Sequence, residues 1–141
     1  MVEVVNRQRK YPVDSKKWRE FAERALRATG TEKSDTTIIF VTDGAIKKLN
    51  RQFRSKDYAT DVLSFPAQHE RFEKALKRNL GEVVISMDRA ATQAKESGLT
   101  LANEVEQLIL HGLLHLCGYD HQTDNGEMNR LELKLRRKLG I

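Results

Sequence analysis

Residues 111 to 121 read HGLLHLCGYDH and hold three of the chain's four histidines, at positions 111, 115 and 121. His111 and His115 are four apart, so on an α-helix they share one face a turn apart, where both imidazoles can reach one metal ion. Gly118 tolerates the positive φ of a helix exit, which lets the chain fold back and present His121 as a third ligand. Three neutral nitrogens with one position left open is the donor set of a catalytic zinc, and one Zn2+ per chain is the expected cofactor. Cys117, the only cysteine, rules out an intramolecular disulfide and reads as a small buried thiol, because its place two residues after His115 turns it away from the ligand face.

Written as a pattern, the stretch is H-x-x-x-H-x-x-G-x-x-H. This resembles the metal frame of the metzincin proteases, except that Gly112 stands where those enzymes carry the glutamate that abstracts a proton. The frame predicts a metal centre, and the glycine removes the base on which proteolysis depends. A metalloprotease is therefore one alternative reading. A binding module with a structural zinc is another, although such sites usually close with four protein ligands.

The rest of the chain must position that helix. Val2 to Val5 reads as a short strand, and Ser15 to Thr29 as a helix with Trp18, Phe21, Ala22, Ala25 and Leu26 on its inner face and Gly30 at its end. Thr36 to Thr42 (TTIIFVT) is the strongest strand, followed by a helix over 45–53 that turns Ile46, Leu49 and Phe53 inward and Lys47, Lys48 and Arg51 outward. The helix between the first two strands implies that they pair in parallel. Thr60 to Phe65 reads as a third strand, placed at an edge by Pro66, and Gly81 to Met87 as the fourth. Residues 67 to 80 read as a loop with a short helix. Asp88 is expected to cap a helix over 89–97, Thr100 to cap the histidine-bearing helix, and Asp124 to cap a last helix carrying Met128, Leu131, Leu135 and Leu139. The sum is an α+β fold: a single domain spanning 1–141, with a four-stranded mixed sheet, five or six helices and a zincin-like metal-binding helix.

Composition narrows the partners. With 39% hydrophobic and 32% charged residues and a mean hydropathy of -0.60, the chain reads as a globular protein with no membrane span and no membrane partner. The N-terminus lacks the basic-then-apolar pattern of a signal peptide, which predicts a cytoplasmic location. A net charge of +5 and a pI of about 9.4 suit a polyanionic partner. The basic residues cluster at 7–10, at 47–56 and at 134–138.

Four separated stretches together resemble the bacterial YbeY endoribonucleases of ribosomal RNA maturation: the histidine motif, NRQFRSKDYATDVLSFP at 50–66, LGEVVIS at 80–86, and Met128. Ala59 stands where that family usually has proline, and Glu82 where it has aspartate; both are mild departures. The resemblance implies a zinc-dependent, single-strand-directed ribonuclease with His111, His115 and His121 as ligands. It also implies partners in single-stranded RNA, ribosomal RNA and the small ribosomal subunit, with no DNA expected. It places the family's functional arginine at Arg54.

Phosphodiester cleavage needs a counter-charge for the developing phosphoryl oxygens, and a guanidinium can meet two of them at once. Arg54 and His115 are the candidate catalytic residues. The nucleophile and the general base stay open at this level. Asp120 reads as a group orienting a histidine, while Asp61 and Ser64 read as solvent-facing or turn-capping and His69 as a loop residue.

Overall fold

The computed structural model describes residues 1–67, 79–120 and 122–141. Four strands, β1 (Val2–Asn6), β2 (Asp35–Val41), β3 (Val62–Pro66) and β4 (Asn79–Ser86), form one sheet in the order β1-β2-β4-β3. The described helices are α1 (Ser15–Ala28), α2 (Asp43–Arg54), α3 (Met87–Ser97), α4 (Leu101–Leu116) and α5 (Glu127–Leu139). β1, β2 and β4 run parallel, and β3 pairs antiparallel with β4 along the outer edge. The mixed sheet, the parallel first pair and the edge position of the proline-ended strand all match the expectation from sequence.

Alternation along the central strands sends side chains to two cores. Ile38 and Phe40 of β2, with Val83 and Ile85 of β4, face a large core built with α1, α3, α4 and α5. Val41 and Val84, with Leu63 of β3, face a smaller core closed by Ile46 of α2. A strand buried on both faces needs a nearly continuous apolar run, which is why IIFV in β2 carries no polar alternation. α4 lies across β3 and β4 and is buried nearly all round, from Val105 to Leu116.

Three local expectations are corrected. The apolar spacing of α2 turns Phe53 inward, yet it is 59% exposed. It sits one residue from the helix end, and its ring meets that of Phe65 edge-on, with the centroids 5.4 Å apart. Asp88 does not cap α3: Ser86 does, its Oγ accepting from Arg89 N at 3.2 Å, and Met87 belongs to the helix instead of to β4. Asp88 in the first turn accepts from the Asp43 backbone N–H at 2.9 Å and pairs with Lys10. β4 begins at Asn79, so residues 79 and 80 are strand. The rest of the expected loop, with His69, falls among residues 68–78, outside the described residues.

At the start of α5 the cap is Gly126, with a φ of 95°. Asp124 still serves the helix from two residues upstream, accepting from Met128 N at 2.9 Å and from Gly126 N at 2.8 Å. Thr100 caps α4 as expected, accepting from Asn103 N at 3.1 Å. None of the described helices is long and apolar enough to cross a membrane.

Candidate metal centre and the cleft above it

His111 and His115 lie in the last turns of α4, and their Nε2 atoms are 3.1 Å apart with the rings nearly perpendicular. Two imidazole nitrogens each about 2.0–2.1 Å from one tetrahedral zinc would be separated by roughly 3.3 Å. The pair therefore fits a single ion. Among the described residues no group of three metal-capable side chains converges, and His121, the expected third ligand, lies outside them.

His111 is held from behind. Its Nδ1 is 2.9 Å from Oε1 of Glu132 on α5, a buried carboxylate whose other oxygen lies 3.8 Å from Arg136. A carboxylate on Nδ1 fixes the proton there and leaves the Nε2 lone pair facing the cleft, the usual way in which a metal-binding imidazole is oriented. Burial alone would raise the Glu132 carboxyl. The hydrogen bond from His111, helped by the charges of His111, Arg136 and His115, brings it below its ordinary value.

The sequence reading passes over Glu132, although a signal exists. It occupies the inner stripe of α5, between Met128 and Leu135, and a charged residue on an apolar face needs a partner. Asp120, expected to orient a histidine, accepts the Gln122 backbone N–H at 2.9 Å. Cys117 is half-buried against the large core, in keeping with the thiol reading.

Gly112 takes on a different meaning. A Cβ built there would stand 2.5 Å from Cγ1 of Val83 and 3.3 Å from the Ser64 hydroxyl. The position faces the sheet and not the cleft, so a side chain at 112 would collide with β4 before it could reach a substrate. Ser64 is itself buried and donates to the Gly112 carbonyl at 3.1 Å, which pins α4 to β3. The expectation that Ser64 faces solvent or caps a turn is therefore corrected.

The two histidines border a cleft of about 510 Å³ whose far wall is the end of α2 and the segment leading into β3. Arg54, the last residue of α2, lines this wall, its Nη2 donating to the Ser64 carbonyl at 3.4 Å. The chain turns back immediately afterwards because Ser55 adopts a left-handed φ of 57°. Asn50, fully buried, donates from Nδ2 to the Tyr58 carbonyl at 2.9 Å and closes the 54–60 turn over the helix end. Asp61 also lines the cleft, but its Oδ1 accepts from Val62 N at 2.8 Å and so shapes the entry to β3. The cleft thus brings together His111, His115 and Arg54, residues separated by more than fifty positions in the chain.

The family model for endoribonuclease YbeY matches residues 3–140. The chain belongs to the YbeY endoribonuclease family. Members of this family are hydrolytic nucleases, and the endoribonuclease YbeY of Nautilia profundicola is 50% identical over 107 residues, covering 76% of this chain and 73% of its own. That of Geobacter metallireducens is 37% identical over 141 residues, covering 99% of this chain and 94% of its own. The solution structure of TM1509 from Thermotoga maritima, 27% identical, superposes with a TM-score of 0.64 over 99% of this chain and 89% of that one. That structure therefore shares the α+β architecture described above.

Proposed function

We propose that this member of the YbeY family is a zinc-dependent, single-strand-specific endoribonuclease that acts in the cytoplasm on ribosomal RNA of the small subunit. The observation that carries the chemistry is the pairing of the His111 and His115 Nε2 atoms at 3.1 Å within the cleft that Arg54 lines. His111, His115 and His121 would hold the ion. When bound, zinc would supply Lewis acidity and a water acidified to near neutral pH.

The chain's own groups divide the remaining work. Glu132 keeps the His111 proton on Nδ1, so that the Nε2 lone pair stays on the cleft side. Arg54, tethered by the Ser64 carbonyl but otherwise exposed, presents a permanently charged guanidinium to the phosphodiester oxygens as charge builds on them. Gly112 allows α4 to approach β4 closely enough to hold both histidines beside that arginine. The protease alternative has less support, because the position that would carry its base is packed against Val83.

The test is cleavage of a single-stranded RNA by the wild-type chain, with and without a chelator, beside His115→Ala. Activity that chelation and the substitution both abolish is the expected result. Cleavage that survives His115→Ala would be a contaminating ribonuclease, and digestion of an unfolded protein without digestion of RNA would return the protease reading.

A further inference from the structure

Two tyrosines stand exposed on the lining of the cleft, where burying their rings would be worth free energy to the fold. Tyr58 is 53% and Tyr119 38% exposed. Neither sits on a loose end. The carbonyl of Tyr58 is held by the buried Asn50 amide at 2.9 Å, and the backbone N–H of Tyr119 donates to the Leu114 carbonyl at 3.1 Å, one turn beyond His115. Each ring therefore projects from an anchored backbone, so little conformational entropy is lost when something packs on it.

Their surroundings favour an anionic, flat-faced ligand. Arg54 and Lys56 share the same cleft, and the chain carries a net charge of +5. The lining also holds two carboxylates, which keep their charge and are turned onto backbone N–H groups, Asp61 onto Val62 N and Asp120 onto Gln122 N. Cations and aromatic rings in one groove are the means by which proteins hold single-stranded nucleic acid: cations follow the phosphates and rings stack on the bases. In a duplex both faces of each base are already covered by its neighbours, so a stacking site of this kind rejects paired strands.

We propose that Tyr58 and Tyr119 are base-stacking residues, each offering its ring to an unpaired nucleobase of an RNA strand drawn across the histidine pair, and that they set the preference for single strands. This rests on the endoribonuclease reading above and adds its specificity determinants. Stacking is worth about tenfold in affinity per base, is indifferent to the tyrosine hydroxyl, and leaves the salt dependence of phosphate binding unchanged.

The experiment measures binding of a short single-stranded RNA to the chelator-treated full chain, together with the same oligonucleotide carrying abasic positions and its duplex. Tyr58→Ala and Tyr119→Ala should each weaken binding of the intact strand by about tenfold while changing abasic binding little. The Tyr→Phe variants should bind like wild type, and Lys56→Ala should lower the salt slope where the tyrosine variants do not. Equal losses on intact and abasic strands, or Phe variants as weak as Ala variants at unchanged thermal stability, would overturn the stacking role alone. A wild-type chain that neither binds nor cuts RNA would overturn the endoribonuclease reading and this inference with it.

Discussion

Gly112→Ala sets two well-calibrated effects against each other. In the interior of a helix such as α4, alanine is favoured over glycine by about 1 kcal/mol. The new methyl, however, would lie 2.5 Å from Cγ1 and 3.1 Å from Cγ2 of Val83. Val83 is fully buried on a central strand, and its branched side chain has little rotamer freedom with which to retreat. Forcing a methyl into a packed core costs about 1–3 kcal/mol. The clash therefore wins on balance, and the substitution should destabilise the fold by about 1 kcal/mol, a loss of roughly 3 °C in Tm for a domain of this size. In a Val83→Ala background the obstructing methyls are gone, and the helix preference is opposed only by the Ser64 hydroxyl, 3.3 Å from the new methyl. The same substitution should there range from neutral to stabilising by about 1 kcal/mol, a coupling of about 1–2 kcal/mol between the two positions. Urea denaturation of the four proteins in the cycle measures it. If Gly112→Ala stabilises the wild-type chain, or has one sign and size in both backgrounds, the close approach of α4 to β4 is not what demands glycine here.

Arg54→Ala should leave folding and zinc affinity unchanged, since the side chain is exposed, but lower RNA cleavage by about 10²–10³; full activity in a single-turnover assay would remove Arg54 from the chemistry. Glu132→Gln keeps an acceptor for His111 but loses the charge, and should weaken zinc binding by about 10–100-fold in competition against a chromophoric chelator; an unchanged affinity would mean that Glu132 does not orient its histidine. Glu104, buried on the inner side of α4, has its carboxyl raised from 4.5 by desolvation and by Asp61, against a smaller opposing pull from Arg136. A carboxyl that binds its proton more tightly when folded favours the fold below 4.5 and loses that contribution as pH rises through its raised value. Glu104→Gln should therefore gain stability relative to wild type at about pH 7 more than at about pH 4, and an equal difference at both would refute the assignment.

The corrections share a cause. Phe53 repeats the apolar spacing of α2, so periodicity turns it inward, but spacing does not reveal that the helix ends one residue later and leaves the side chain exposed. Ser86 and Asp88 both suit a helix start, and the choice fell to the point at which β4 stops pairing with β2 at Val41. Glu132 and Glu104 are buried on the inner faces of their helices, and which partners they meet there is set by neighbouring elements.

The sequence by itself determined the histidine spacing, the helix that aligns His111 with His115, the parallel first strand pair, the edge position of the proline-ended strand and the absence of a protease base at 112. These follow from periodicity and residue chemistry, which act over one or two turns and so are legible locally. Only the tertiary structure decided that the glycine is required by Val83, that Glu132 stands behind His111, and that Arg54, Tyr58 and Tyr119 border one cleft. Each of those facts joins residues from different elements, and such contacts are set by how β3, β4, α4 and α5 pack, which no local pattern encodes.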